Sequence, residues 1–288
     1  MSAREQKEIS SEFDCKHVFV TGGSRGIGRA IANAFADRGA RVAILFRTNI
    51  AAANETLAEL SGKGHIIVQA DITKPDEVAT AVSSVIEQFG GLDIVVNNAG
   101  IGIHHPLEST SYDDWQTAWR QTIDTNLHGP ANACFCVARY MIESGGGRIV
   151  NVTSRGAFRG EPTKPAYGAS KAGLNSLSQS LAVALAPHNI FFGVVAPGFV
   201  NTELTADRLE GKEGDEIRAQ SPLNRVAEPE EVAHAVLFLC SEGSEFSTGT
   251  IIDLNGASYL RSLSSALQNR PKQDYQRTPV MIVFGTGR

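Results

Sequence analysis

Short apolar runs alternate with longer segments of helical period from residue 17 to about residue 255. This alternation is typical of repeated strand–helix–strand units and predicts a parallel sheet. Most of the apolar runs are unbroken Val, Ile, Leu and Phe, as expected when helices cover both sheet faces. Strands are predicted near 17–21, 41–46, 65–69, 93–97, 147–152, 190–196 and 250–254. Helices are predicted near 26–38, 50–61, 75–89, 112–143, 166–186 and 229–241.

We therefore predict one α/β domain at 16–261, a doubly wound Rossmann-type sheet of about seven strands with helices on both faces. A polar extension precedes it at 1–15, and a tail follows at 262–288. The tail contains a single apolar run, VMIVFG at 280–285. The tail either is disordered, packs on a partner subunit or is foreign to the natural protein. Residues 203–227 form a charged, Gly-interrupted insertion, which is either a mobile lid over a substrate or a plain surface loop.

Composition and charge limit the classes of binding partner that are expected. The chain has 288 residues, 42% of them hydrophobic, which is sufficient for a substantial core. The net charge of -5 and the scattered basic residues argue against nucleic acid or an anionic membrane. The polar N-terminus and the lack of a long apolar run predict a cytoplasmic protein. The four cysteines form no CxxC pair, so we predict no metal site and reduced, buried thiols.

A glycine-rich turn, TGGSRGIG at 21–28, lies directly after the first predicted strand and before the first predicted helix. In this context glycines permit a tight turn and let the backbone approach a pyrophosphate at the helix N-terminus. The alternative is a merely structural turn. The agreement of strand, turn and helix favours a dinucleotide site.

Charge near the second strand indicates which dinucleotide binds. An NAD site usually has an Asp or Glu at the end of that strand, but no acidic residue lies between Asp37 and Glu55. Arg47 and Arg25 are instead available for a 2′-phosphate, so NADP(H) is preferred, with NAD(H) possible. Asp71 after the third strand either accepts a hydrogen bond from the adenine amine or caps the next turn.

Tyr167 and Lys171 are four residues apart in a predicted helix, with Ser154 thirteen residues before the tyrosine. Residues at this spacing share one helix face. An ammonium about 5 Å away lowers the pKa of a phenol by about two units at an effective dielectric of about 20. We therefore expect Tyr167 to titrate near working pH and to act as a general acid or base.

Six motifs occur in order: TGGSRGIG at 21–28, NNAG at 97–100, Asn126 in DTNL, Ser154, YGASK at 167–171 and PGFVNT at 197–202. Together they resemble the short-chain dehydrogenase/reductase family over about residues 15–261. The resemblance implies that Ser154, Tyr167 and Lys171 are catalytic and that Asn126 completes a proton relay through water. It also implies that Lys171 reaches the nicotinamide ribose.

Hydride transfer to a carbonyl carbon builds charge on the oxygen, which Ser154 and Tyr167 would stabilise before Tyr167 supplies the proton. From the glycine turn, the charge argument and the resemblance together, the candidate cofactor contacts are Gly22, Ser24, Arg25, Gly26, Ile27, Gly28, Arg47, Asp71, Ile72, Asn98, Ala99, Gly100, Tyr167, Lys171, Pro197, Gly198, Val200 and Thr202.

The candidate substrate contacts are Arg155, Phe158 and Phe199, a mixed polar and aromatic set. Such a pocket suits a sugar, a polyol or a small keto compound, and the chain also resembles the 3-oxoacyl thioester reductases of fatty acid synthesis. His104 and His105 are expected to be solvated loop residues rather than metal ligands.

The function predicted from these residues is NADP(H)-dependent reduction of a carbonyl or oxidation of an alcohol. The alternative is a non-catalytic dinucleotide sensor or scaffold, which would be free to lose Tyr167, Lys171 or Ser154. An epimerase or dehydratase is a third possibility, although the glycine turn resembles the simple reductases more. The resemblance also implies a homodimer or homotetramer built through the helices at 112–143 and 166–186.

Overall fold

Seven parallel strands form one sheet in the computed structural model, which describes residues 12–261. The strands are β1 (His17–Thr21), β2 (Arg41–Phe46), β3 (Ile66–Gln69), β4 (Ile94–Asn97), β5 (Gly147–Val152), β6 (Ile190–Pro197) and β7 (Ile251–Leu254). Their order across the sheet is β3-β2-β1-β4-β5-β6-β7, and every neighbouring pair is parallel. The predicted fold class is confirmed, and each strand begins and ends within one residue of its prediction.

Helices cover both faces of this sheet. They are α1 (Gly26–Ala36), α2 (Ile50–Glu59), α3 (Pro75–Phe89), α4 (Tyr112–Ile123), α5 (Gly129–Ser144), α6 (Gly156–Arg159), α7 (Pro165–Leu185), α8 (Gly211–Ala219) and α9 (Pro229–Cys240).

The side chains of β1 alternate between two hydrophobic clusters. Val18 and Val20 lie in one cluster with Phe35 of α1, whereas Phe19 lies in the other with Met141 of α5. This alternation follows from the two-residue period of a strand. Because the chain reverses its order across the sheet between β1 and β4, a crevice for a ligand is expected at their carboxyl ends.

The prediction of one long helix at 112–143 is wrong in one respect, because the helix is interrupted. A π-helical turn, Asp124–His128, separates α4 from α5. Pro130 follows at the first turn of α5 and has no N–H to continue a regular helical ladder. Gly129 also packs so closely on Ile72 that an added Cβ would lie 2.7 Å from the Ile72 Cγ1 atom. Asn126 sits inside this turn.

The insertion at 203–227 is more ordered than a plain surface loop. It contains a 3-10 turn at Ala206–Leu209 and then helix α8. The Arg218 guanidinium of α8 donates a hydrogen bond of 2.9 Å to the carbonyl of Leu209, which ties the two parts together.

Two predicted segments lie largely outside the described residues: the extension at 1–15 and the tail at 262–288. Phe13, within the first of these, is buried and lies 4.9 Å from Phe35 between ring centroids. The boundary between the two compact units of the chain falls after Ser258, and the site described below belongs to the first unit. Among residues 12–261, none of the helices combines the length and the apolar character needed to cross a bilayer.

Candidate active site

The glycine turn between β1 and α1 has the close backbone contacts that require glycine. Gly22 has a φ of +65°, and a Cβ on it would lie 3.0 Å from the Cα of Ala99. A Cβ on Gly28 would lie only 2.2 Å from the carbonyl oxygen of Gly22. The first turn of α1 therefore passes directly against the loop that precedes it, and the Arg25 side chain does not cap the N–H groups of this turn.

The NNAG motif at the end of β4 holds this turn in place. The Asn98 side-chain amide donates hydrogen bonds of 3.1 Å to the carbonyls of both Thr21 and Gly22. The backbone N–H groups of Asn98 and Ala99 bond to the Thr21 hydroxyl at 3.0 and 3.1 Å. The Asn98 side chain thus supports the turn rather than pointing into the crevice.

The loop after β6 closes the other side of the crevice. The Gly198 N–H donates to the carbonyl of Leu254 at 2.9 Å, which anchors the start of the loop to β7. At the other end, the Thr202 methyl carbon would lie 3.3 Å from a Cβ on Gly26. The structure therefore brings the 197–202 segment against the glycine turn.

The residues predicted to contact the adenosine end of the dinucleotide have different surroundings. Arg25 and Arg47 are both exposed at the carboxyl edge of the sheet. Asp71 accepts hydrogen bonds from the N–H and the hydroxyl of Thr73, at 2.9 and 2.8 Å, so it forms the local turn that was its alternative role. The Ser24 carbonyl accepts bonds from Arg29 and Thr56 inside the protein.

Ser154, Tyr167 and Lys171 lie together. The Ser154 hydroxyl lies close enough to Tyr167 to lower the pKa of its phenol, and it accepts a hydrogen bond of 3.0 Å from the Gly156 N–H. The Lys171 ammonium lies 5.9 Å from the centroid of the Tyr167 ring and donates a bond of 2.9 Å to the carbonyl of Val152. The tyrosine and lysine therefore share one face of α7, as their spacing predicts.

The expected acidity of Tyr167 is not found. Burial raises the pKa of the Tyr167 phenol, and the hydrogen bond from Ser154 offsets only part of this effect. Burial also lowers the pKa of Lys171 to about 8. The prediction from spacing was wrong because it counted the attraction between phenolate and ammonium but not the cost of removing both charged forms from water.

Asn126 is fully buried in the π-helical turn. Its side-chain oxygen accepts a bond of 2.8 Å from the Ile101 N–H, and its amide nitrogen donates to the Ile101 carbonyl at 2.9 Å. A Cβ on Gly100 would lie 3.3 Å from both the Asn126 side-chain oxygen and the Lys171 Nζ. The NNAG loop, the π turn and α7 therefore meet at Gly100, and the absence of a side chain there leaves room for Lys171.

The candidate substrate residues lie beside this group. Arg155 is only 4% exposed, and its guanidinium donates to the Gln220 side-chain oxygen at 3.0 Å and to the Ser258 hydroxyl. The guanidinium carbon lies 5.6 Å from the centroid of the Phe199 ring. Phe158, one turn after Arg155, is half-buried.

His105 is a correction to the expectation of two solvated histidines, because it is 1% exposed whereas His104 is exposed. The His105 Nδ1 lies 2.8 Å from the Ile103 carbonyl, and its Nε2 lies 3.3 Å from the Ala166 N–H. A carbonyl only accepts and an N–H only donates, so the ring is neutral with its proton on Nδ1. His105 thus holds the first turn of α7, next to Tyr167.

We expect His105→Phe to lower the free energy of unfolding by about 2–4 kcal/mol, because two buried backbone groups lose their partners. Phenylalanine retains the ring contact with Trp115. Urea unfolding of both histidine variants measures the effect. The matched change His104→Phe, on an exposed neighbour, should shift stability by less than about 0.5 kcal/mol. Equal effects of the two substitutions would contradict the positioning role.

A family model described as enoyl-(acyl carrier protein) reductase matches residues 22–256, which include all six motifs except the first residue of the glycine turn. The chain belongs to the short-chain dehydrogenase/reductase family. The resemblance drawn from the motifs is confirmed, and with it membership in a family of oxidoreductases.

Two curated relatives in this family are 3-oxoacyl-[acyl-carrier-protein] reductases. The enzyme FabG of Chlamydia trachomatis is 37% identical over 243 residues, which cover 84% of this chain and 96% of the relative. FabG of Staphylococcus epidermidis is 36% identical over 247 residues, covering 85% and 99%.

Solved structures of the family have the same fold. The crystal structure of gox2181 is 36% identical, with a TM-score of 0.79 over 88% of this chain and 98% of that chain. A short-chain type dehydrogenase/reductase from Mycobacterium ulcerans is 31% identical, with a TM-score of 0.80 over 86% and 90%.

Some residues around the site of this family member were not found from the sequence. Gln220 and Ser258 bind Arg155 from positions 65 and 103 residues further along the chain, so no local pattern reveals them. Lys164 was also missed, although a cation three residues before Tyr167 is visible in the sequence.

Proposed function

We propose that this protein is an NADP(H)-dependent oxidoreductase that transfers a hydride between nicotinamide and a carbonyl or secondary alcohol. The observation that carries the proposal is the placement of Tyr167 and Lys171 on one face of α7, with the Lys171 Nζ 5.9 Å from the centroid of the Tyr167 ring and Ser154 beside the phenol. The side chains of Ser154, Tyr167 and Lys171 lie close together near the carboxyl ends of the strands, where a parallel sheet with this strand order has its ligand-binding crevice. A non-catalytic sensor has no need of this arrangement.

The residues around the glycine turn fit a dinucleotide. The absence of side chains at Gly22 and Gly28 lets backbone N–H groups approach a pyrophosphate, and the segment 197–202 lies opposite. The bound cofactor would supply the hydride. The candidate cofactor contacts named from the sequence remain our proposal for the residues that hold it.

The four side chains of the proposed catalytic group have different roles in the reaction. Tyr167 remains protonated at neutral pH because its pKa is raised, so in the reduction direction its hydroxyl is ready to donate. Ser154 donates a second hydrogen bond to the same developing charge. Lys171 is mostly protonated at pH 7, because its pKa is about 8. Asn126 fixes Ile101 and the loop beside the lysine and is proposed to complete the relay.

The preference for NADP(H) is proposed from Arg47 and Arg25, which are exposed where the adenosine ribose would lie. We expect Arg47→Asp to weaken NADPH binding by about 10- to 100-fold, because a charge-assisted contact becomes a repulsion, and to favour NADH. Titration with both reduced cofactors measures the change. The control Lys63→Asp makes the same charge change in the exposed loop before β3. This loop lies at the amino ends of the strands, whereas Arg47 lies at the carboxyl end of β2. An unaltered cofactor ratio in Arg47→Asp would count against the 2′-phosphate contact.

For the substrate we propose a 3-oxoacyl thioester, a sugar or polyol, or a small ketone. The thioester is supported by the two FabG relatives, and the polar and aromatic side chains of Arg155, Phe158 and Phe199 support the others. A screen of these classes with NADPH, followed by the absorbance of the reduced nicotinamide, tests the proposal. Turnover of no carbonyl or alcohol in either direction would favour a binding protein.

We further propose a homodimer or homotetramer in the cytoplasm. Phe135 on α5 and Val183 on α7 are 69% and 81% exposed, as expected of a face that a partner subunit covers. All four cysteines are free thiols, as expected in a reducing compartment, but the prediction that they are buried holds only for Cys134 and Cys240, since Cys136 is half-buried and Cys15 is exposed.

A further inference from the structure

One side of the candidate site is basic beyond what the proposed hydride transfer requires. Between Ser154 and Tyr167 the sequence contains Arg155, Arg159 and Lys164 against a single acidic residue, Glu161. Arg208, from the turn before α8, joins them. We refer to Arg155, Arg159, Lys164 and Arg208 as the basic wall.

Lys164 is the member of the basic wall nearest to the proposed chemistry. A Cβ on Gly102 would lie 3.6 Å from both the Lys164 Nζ and the Tyr167 Cδ2 atom. The two side chains therefore approach the same point in the loop after the NNAG motif.

The Lys164 ammonium has no acidic partner in contact. It is half-buried, and among residues 12–261 its Nζ makes neither an ion pair nor a side-chain hydrogen bond. Burial lowers the pKa of Lys164, Arg208 lowers it further, and Glu161 raises it. A half-buried cation among other cations is destabilising unless an anion comes to it.

Two other members of the basic wall, Arg208 and Arg155, contact the same aromatic ring. The guanidinium carbons of Arg208 and Arg155 lie 5.1 and 5.6 Å from the centroid of the Phe199 ring. Arg208 is partly neutralised by Glu213, whereas the two hydrogen bonds of Arg155 go to neutral side chains. Arg155 and Phe199 also line a cavity of about 420 Å³, whose lining does not include Lys164, Ser154 or Tyr167.

Carboxylates near the wall do not cancel it. Glu161 packs against Gly156 and Gly168, and it raises the pKa of both Arg155 and Lys164. Glu231, in the cavity beside Arg155, is held by two short bonds from Arg225. Glu161 also raises the pKa of Tyr167, but among residues 12–261 it forms no ion pair with Lys164, so the Lys164 ammonium remains available to an anionic ligand.

We propose that the substrate carries a carboxylate or phosphate group, which Lys164 binds while the reacting carbonyl lies at Ser154 and Tyr167. This inference rests on the proposed function, and it narrows the substrate to oxo acids or phosphorylated carbonyl compounds. Because Lys164 lies beside the Tyr167 ring, the anionic group is only a few bonds from the reacting carbon.

Two pairs of small substrates test the inference with the full chain and NADPH. Acetoacetate is compared with its methyl ester, and dihydroxyacetone phosphate with dihydroxyacetone, so that the two pairs distinguish a carboxylate from a phosphate. In at least one pair we expect kcat/KM for the anion to exceed that for the neutral compound by about tenfold or more. Added salt should reduce this preference.

Substitution of Lys164 locates the effect. Lys164→Met should abolish the preference, mainly through a higher KM for the anion, so the measured quantity is the ratio of kcat/KM between the anion and the neutral compound within each variant. Lys164→Arg should restore the preference, which a merely structural role for the side chain would not require. Lys212→Met is the matched control, since the Lys212 side chain is 92% exposed on α8.

The outcomes separate this inference from the proposed function. Turnover without a preference for the anion, or a preference that survives in Lys164→Met, overturns the inference and leaves the proposed function standing. If none of the four compounds is turned over, calorimetric binding of acetoacetate and its methyl ester to the NADP-loaded protein decides. Anion-selective binding that is lost in Lys164→Met supports the inference, and equal or absent binding of both overturns it.

Discussion

The Tyr167→Phe protein is expected to lose turnover by about three orders of magnitude while it still binds NADPH. Phenylalanine keeps the ring beside Lys171 but has no hydroxyl to donate a proton. Positioned acid catalysis contributes about 10²- to 10⁴-fold in rate, and the oxygen also loses a stabilising donor. Steady-state kinetics on any accepted substrate, together with titration of NADPH fluorescence, separates the loss of chemistry from a loss of binding.

Tyr112→Phe is the matched control for this experiment. Tyr112 is 75% exposed at the start of α4, so removal of its hydroxyl should leave kcat, KM and unfolding temperature unchanged. Turnover of Tyr167→Phe at the wild-type rate would remove this tyrosine from the chemistry. A parallel loss of NADPH binding would instead indicate that the hydroxyl supports the cofactor site.

The second large effect is expected for Gly28→Ala, which should lower NADPH affinity by tenfold or more and the unfolding temperature by several degrees. The added methyl would lie 2.2 Å from the Gly22 carbonyl oxygen and 2.5 Å from the Asn98 amide nitrogen. Because neither group is the free end of a flexible chain, α1 must move away from the turn. Overpacking of this kind costs about 1–3 kcal/mol, and the displaced N–H groups no longer point at the pyrophosphate.

Gly91→Ala provides the comparison for a glycine with room. There the nearest atoms, in His17 and Tyr140, would lie 3.4 Å from the new Cβ, which is ordinary contact. Thermal unfolding and NADPH titration of both variants measure the difference. Wild-type affinity in Gly28→Ala would show that the close approach of helix and turn is not what binds the cofactor.

The strands were predictable because burial on both faces makes them nearly continuous apolar runs, as in β2 and β6. The glycine turn was predictable because it depends on residues adjacent in sequence. The interruption at 124–128 was not predicted, since the apolar period continues through it and only Pro130 signals a break. Helix α8 was not predicted either, because Gly211 and Gly214 are poor helix formers and much of its surface is polar.

Tertiary burial explains the remaining failures at the site. His105 lies in a short loop with no apolar period, and it is buried only because the chain returns at Thr163 and Ala166 to cover it. The acidity predicted for Tyr167 failed for the same reason, since spacing places Lys171 correctly but does not reveal how far both groups are removed from water. Which groups share a face follows from sequence order, whereas their electrostatic environment depends on contacts made at long range.

The bonds from Asn98 to Thr21 and Gly22 join the central strands of the sheet to the glycine turn. That loop is therefore pre-organised by the core rather than shaped by its ligand. Association with a dinucleotide should require little ordering entropy, so more of the contact free energy is retained as affinity. Local unfolding of this loop should likewise require disruption of the sheet itself, which predicts slow amide exchange at Gly22 even in the absence of any ligand.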